Sequence, residues 1–310
     1  MMNFHQILEQ VATRPETRGN AIGDGQFSCA YSELPSRLDE VTVFLDGKRI
    51  GGDECLAVEC INSVSGALLL LALWRRGASF VLTPPGVNNE TKPTPGFCRY
   101  KLTVRHGAPL SAADSIRVES NPDFNGEKIP AGKLLLRTSG SIGASKIVVH
   151  DQLKLIGNAG NCVRKYNFNP ASRAVIPVPV AHMYGFGAEF LPAILAGASI
   201  DLQEKTNVLT YLDREKRFRP TIAFVTPAIC EMLLKAYKTP RTHYDVMVTS
   251  GQRIGEDVFR ALDPMLGGRL VNQYGSTEMG ATAACDPGEP LDLRVTSIGK
   301  PMEGVELRLE

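Results

Sequence analysis

The sequence predicts an α/β fold of two packed, largely parallel sheets covered by helices. Three observations lead there. Short apolar runs alternate with segments of helical periodicity along most of the chain. Many of the runs are continuous, as in strands buried on both faces. No repeat of solenoid period is present. With 310 residues, 43% of them hydrophobic, the chain can bury a large core as one big domain or two intimate ones.

Phe4, Ile7, Leu8 and Val11 share one face of a helix, and Leu34, Leu38, Val41 and Leu45 repeat that spacing behind Ser32, an expected N-cap. The strand CLAVEC (55–60), a helix from Ser63 to Arg76 closed by Gly77, and the strand SFVL before Pro84 and Pro85 form a βαβ unit. The pair Arg75 and Arg76 suits the negative end of that helix dipole. Residues 86–132 are rich in Pro, Gly and Asn, with short strands expected only near KLTV and SIRV. From Lys133 the alternation resumes with strand KLLLR, loop TSGSIGASK, strand IVVH, a helix over 151–165, strand AVIPVPV and a helix over 185–195. His150 and Asp151 read as a strand end and a helix cap. ASIDL, TIAFV and YDVMV are further strands, accompanied by helices over 207–218, 227–237 and 255–266.

Composition narrows the function. The formal charge of +1, from 34 basic and 33 acidic residues, offers no field for a polyanion, so nucleic acid is not an expected partner. Seven cysteines without a CxxC form an odd set, which argues against a disulfide framework or a zinc site and suits a reducing cytoplasm. The polar, acid-bearing first residues differ from a signal peptide. GALLLLALW falls short of the ~20 apolar residues that cross a bilayer, so no membrane association is expected.

The chemistry concentrates in Thr138-Ser139-Gly140-Ser141-Ile142-Gly143-Ala144-Ser145-Lys146. After a buried strand, its glycines, hydroxyls and terminal lysine supply close backbone amides, donors and one positive charge, as a polyphosphate requires. Neither GxxxxGK(S/T) nor GxGxxG is matched. Two other readings stand beside this one. The loop is also a plain Gly/Ser hairpin by composition. And Ser139 to Gly143 is one substitution from the GxSxG elbow, which would make Ser141 a hydrolase nucleophile.

TSGSIGASK followed by IVVHD resembles the (S/T)SG(S/T)TGxPKGV signature of the superfamily of acyl-CoA synthetases, peptide-synthetase adenylation domains and luciferases. In the same order come PVPVAHMYGFG, similar to its histidine motif, FVTPAICEMLL, VTSGQRIGEDVFRAL, and VNQYGSTEMG, similar to its YGxTE signature. The resemblance implies a large N-terminal adenylating domain over 1–310. In that frame 86–132 is shortened, 290–310 opens a third, β-rich subdomain, and the family's small C-terminal domain is absent.

It also implies roles. Thr138, Ser139, Gly140, Ser141, Gly143 and Lys146 would line the β- and γ-phosphates of ATP. Tyr274 and Gly275 would meet the adenine, Thr277 the α-phosphate, and Glu278 would hold Mg. Ser250, Gly251 and Gln252 would stand between adenine and acid, and His182 beside the substrate carboxylate. Met183, Tyr184, Phe186, Phe224 and Thr226 are the nominated acid pocket. Two departures weaken the phosphate loop: Ile142 replaces a hydroxyl and Ser145 a proline.

The implied activity is activation of a carboxylic acid to an acyl-AMP, with an aromatic acid expected because short members of the family serve phenazine antibiotic pathways. Little transfer to coenzyme A is expected, since the family's residues for that half-reaction follow the matched motifs, and a reductase or acyltransferase would receive the adenylate. A noncatalytic protein that binds nucleotide or acid, and a serine hydrolase at Ser141, are the other readings.

Overall fold

The computed structural model describes residues 4–52, 54–86, 93–107, 110–138, 146–204 and 207–308. The first half contains α1 (Phe4–Thr13), β1 (Ala21–Gly23), β2 (Ser28–Ala30), α2 (Leu34–Gly47), β3 (Cys55–Glu59), α3 (Val64–Arg75), β4 (Ser79–Thr83), β5 (Cys98–Val104), α4 (Ala112–Ser115), β6 (Ile116–Ser120), β7 (Lys133–Arg137) and β8 (Ile147–Asp151). The second contains α5 (Gln152–Lys165), β9 (Arg173–Ile176), a π-helical segment (Tyr184–Phe190), α6 (Leu191–Ala196), β10 (Ser199–Leu202), α7 (Val208–Phe218), β11 (Ile222–Val225), α8 (Pro227–Ala236), β12 (Val246–Thr249), α9 (Glu256–Leu262), β13 (Leu270–Ser276), β14 (Gly280–Ala284), α10 (Leu291–Thr296) and β15 (Lys300–Pro301).

Among the described residues these strands form two sheets, ordered β6-β5-β3-β4-β7-β8 and β15-β14-β13-β12-β11-β9-β10-β1-β2. Strands β5, β3, β4 and β7 are parallel, as are β13, β12, β11, β9, β10 and β1. The margins are antiparallel: β6 and β8 in one sheet, β2, β14 and β15 in the other. The central parallel strands are covered on both faces and are accordingly largely apolar; every residue of β11 and β12 is buried. Helices cover them, and α3 is buried along nearly its whole length, with Ser63 accepting from the Gly66 amide at its N-terminus.

The expected strand AVIPVPV stops at Ile176, because Pro177 and Pro179 have no amide hydrogen for a ladder. Ser32 does not cap α2. It lies inside a 3₁₀ turn, where the Glu33 carboxylate accepts from the Ala30 amide at 3.0 Å. The helix expected over 185–195 is π-helical up to Phe190, and KLTV and SIRV fall within β5 and the junction of α4 with β6.

Side-chain bonds to distant backbone brace the body around the strand ends. From the corner after β3, Asn62 donates to the Ile176 and Val178 carbonyls at 3.1 and 2.9 Å and accepts from the Val180 amide at 2.8 Å. From α5, Asn158 holds both the amide and the carbonyl of Ala281 in β14, at 3.1 and 2.8 Å. From β8, the His150 ring lies 2.7 Å from the Thr277 carbonyl oxygen.

Glu189, in the π-helical segment, is fully buried. Its Oε1 accepts from the Phe224 amide at 3.1 Å, and its Oε2 has no partner among the described residues. Burial holds this carboxyl well above the ordinary carboxylate range, in its neutral form. An acid raised in the folded state binds its proton where the unfolded chain has released it. Its contribution to stability is therefore full below the unfolded value of about 4.3 and is lost as pH rises toward the folded value. Glu189→Gln, which keeps the acceptor without a titrating proton, is expected to flatten the fall in urea-unfolding stability between pH 5.5 and 8.5. Equal slopes in both proteins would show that Glu189 does not set the pH dependence.

Candidate active site

Parallel strands end with unpaired backbone groups at their carboxyl edges, which is where open α/β sheets take ligands. Here the carboxyl ends of β7, β12 and β13 and the segment after β9 converge on one cavity of about 260 Å³. Its wall is formed by Arg137, His182, Met183, Tyr184, Ala188, Ser250, Gly251, Gln273, Gly275, Ser276, Thr277, Gly280 and Ala281.

Of the residues singled out from sequence, His182, Met183, Tyr184, Ser250, Gly251, Gly275 and Thr277 are on this wall. Ser250 and Gly251 follow β12, and Gly251 takes φ +90°, a conformation that favours glycine. Gly275 sits at an irregularity where β13 meets β14. A side-chain carbon there would overlap the Gly280 carbonyl oxygen, so only glycine lets the two strands cross this closely. Tyr184 is pinned by its hydroxyl, which donates to the carbonyls of Val225 at 3.2 Å and Val248 at 2.9 Å.

Gln252, Tyr274 and Glu278 are exposed and flank wall residues in sequence, Tyr274 being 44% exposed. Thr138 and Lys146 close the base of the phosphate loop: the Thr138 amide donates to the Lys146 carbonyl at 2.9 Å, and the Lys146 amide to the Thr138 hydroxyl at 3.1 Å. Ser139, Gly140, Ser141 and Gly143, with Ile142 and Ser145, lie outside the described residues.

Three nominated pocket residues are elsewhere. Phe186 is buried against Trp74, with ring centroids 5.2 Å apart, and Phe224 is buried among Tyr166, Phe168 and Tyr184. Both fill core beneath the wall. Thr226 is the N-cap of α8, its hydroxyl accepting from the Ile229 amide.

Sequence reasoning missed Arg137 and Gln273; His150 lies at the end of β8 and Asp151 caps α5 as expected, but the contact that His150 makes with Thr277 was not anticipated. Arg137 precedes the phosphate loop, and its buried Nε has no partner among the described residues. Gln273 is held by the Tyr166 hydroxyl, which donates to its Oε1 at 2.7 Å. The Arg137 position next to the loop was the one signal available; Gln273 and His150 depend on contacts with distant segments.

Two titratable groups beside the cavity are Glu278 and His150. The Glu278 carboxyl is held below its ordinary value by its own backbone amide and the Ser276 hydroxyl, with smaller help from His150 and Lys146. Burial pushes the His150 ring down, against the opposing pull of the Thr277 carbonyl and Glu278. The residues therefore fit a magnesium nucleotide. A single ionised carboxylate suits magnesium, which binds through one or two carboxylates together with substrate phosphates. Lys146 is among the charges that act on that carboxylate, and Gly275, Ser276 and Thr277 line the cavity.

The site is thus a cleft of mixed polarity at the strand ends of a two-sheet α/β body. Residues 128–310, more than half of the chain, match the model of the AMP-binding enzyme family, and the chain belongs to that family. It is 26% identical to the sulfoacetate–CoA ligase of Cupriavidus necator over 55% of this chain and 34% of that protein. It is also 26% identical to the indoleacetate–CoA ligase of Aromatoleum aromaticum over 90% of this chain and 61% of that protein. The chain thus spans between a third and two thirds of these relatives. Among solved structures, the anthranilate CoA ligase AuaEII in complex with anthranoyl-AMP superposes with a TM-score of 0.76 at 16% identity, covering 98% of this chain and 65% of that one.

Gly275→Ala tests the wall directly. Overpacking against backbone is expected to lower unfolding free energy by ~1–3 kcal/mol in urea titrations. Unchanged stability would mean that the β13–β14 crossing can open freely.

Proposed function

We propose that this chain activates a carboxylic acid with ATP, forming an acyl-AMP and releasing pyrophosphate. The observation that carries the reading is the shared cavity: Ser250 to Gly251, Gly275 to Thr277 and His182 to Tyr184 line one space, bordered by the base of the phosphate loop and by an ionised Glu278. An acid carboxylate oxygen attacks the α-phosphorus, the new C(O)O–P bond forms, and the bond from that phosphorus to the bridging oxygen breaks, leaving pyrophosphate. Two anions must be brought together for this, so positive charge and oriented amides are required. Lys146 supplies charge, the Thr277 segment orients the phosphate, and His182 stands on the wall where a carboxylate would approach. Magnesium on Glu278 would neutralise phosphate charge when bound.

The acid is proposed to be aromatic. Met183, the Tyr184 ring and Ala188 give the cavity an apolar side that suits a flat ring, and Gln273 adds one polar group. The similarity to an indoleacetate–CoA ligase supports this choice. We further propose that transfer to coenzyme A by this chain is slow, and that a reductase or acyltransferase takes the adenylate.

Acid-dependent exchange of pyrophosphate into ATP over a panel of aromatic and aliphatic acids is the test. Exchange with an aromatic acid is expected; ATP binding without exchange for any acid would favour a noncatalytic binding protein, and fluorophosphonate labelling of Ser141 a hydrolase. Lys146→Ala should weaken Mg-ATP binding about ten-fold, as for loss of one charged hydrogen bond. Glu278→Gln should remove the magnesium dependence of that binding while keeping shape. Calorimetry that finds both variants unchanged would remove these two residues from the site.

A further inference from the structure

Two segments that border the cavity belong to different sheets. The hairpin β7–β8 carries the phosphate loop, and the turn between β13 and β14 carries Thr277 and Glu278. His150, four residues after Lys146, reaches from the first to the second: its Nε2 is 2.7 Å from the Thr277 carbonyl oxygen. A carbonyl oxygen only accepts, so Nε2 carries the hydrogen, and the contact fixes the tautomer of the neutral ring. In the chain, Thr277 stands between Ser276, which lines the cavity, and Glu278, which is exposed. A shift of this turn would therefore move both groups relative to Lys146.

A plain packing role for His150 would depend on ring volume alone. The geometry says otherwise, since the ring is only half-buried and its polar atom is directed at backbone from a segment 127 residues away. We propose that His150 is a positioning residue of the nucleotide site: its hydrogen bond to Thr277 sets the turn bearing Thr277 and Glu278 against Thr138 and Lys146 at the end of the β7–β8 hairpin, so that both can engage one magnesium nucleotide. This rests on the nucleotide reading given above and is independent of the acid and of any acceptor. His150 touches neither metal nor phosphate in this role.

The test is calorimetric titration of the intact chain with ATP, in magnesium and in EDTA, for the wild type, His150→Leu, His150→Gln and His150→Asn. Leucine keeps bulk without a donor, glutamine places an amide donor near the position of Nε2, and asparagine has a donor too short to reach Thr277. The leucine and asparagine variants are expected to bind Mg-ATP about ten-fold more weakly, the size of one ordering hydrogen bond. Their affinity in EDTA should change by less than about three-fold, and glutamine should recover most of the loss. Thermal unfolding of each variant separates a folding defect, and if leucine fails to fold the glutamine–asparagine pair still decides. Equal affinity in all four proteins, or equal loss in glutamine and asparagine, overturns the positioning role and leaves the nucleotide reading standing. A wild type that binds no Mg-ATP overturns both.

Discussion

Hydrophobic burial gives this molecule cohesion but no register, because it is non-directional. The cavity is built from strand ends in two separate sheets, so its shape depends on directional bonds that cross between them. Such bonds come from Asn62 and His150, while Asn158 braces β14 from helix α5, and each ends on backbone of the segments that form or adjoin the wall. A single such bond contributes about 0.5–1.5 kcal/mol net, small beside the whole core, yet leaving its buried partner unmatched costs about 1–3 kcal/mol. Registers that break these bonds are thereby disfavoured without any one bond dominating stability.

The electrostatic arrangement follows from the same geometry. Glu278 is exposed and ionised, with the Ser276 hydroxyl and its own amide turned toward it, whereas Glu189, a short distance along the chain from His182, is buried and neutral. Environment alone gives two glutamates opposite states, and only the exposed one can serve a cation. Tyr166 and Tyr184 use their hydroxyls to fix Gln273 and the β11–β12 carbonyls, so this side of the cavity presents the Tyr184 ring and the Gln273 side chain in set orientations.

Much of the fold was legible because continuous apolar runs mark central strands, as β3, β4, β7, β11 and β12 illustrate. The three-residue β1 and β2 carry too little pattern, and β14, GATAA, is made of small residues with weak strand preference. The π-helical segment has no local signature, and it changes which side chains face the cavity: Tyr184 and Ala188 are on the wall, while Phe186 turns to Trp74. Motif residues at strand ends, such as Ser250, Gly275 and Thr277, could be placed from sequence since strand ends and turns are locally encoded. Gln273 and His150 could not. Their environment comes from Tyr166 and Thr277, 107 and 127 residues away, and no periodicity reports such a distance.

On the proposed function, one nucleotide is gripped by both sheets at once, which backbone hydrogen exchange can follow directly. Adding Mg-ATP to the intact chain should slow exchange together over 138–150 and 272–282, with a smaller effect near 250. Protection confined to one of these segments, or located away from the cavity, would contradict the account.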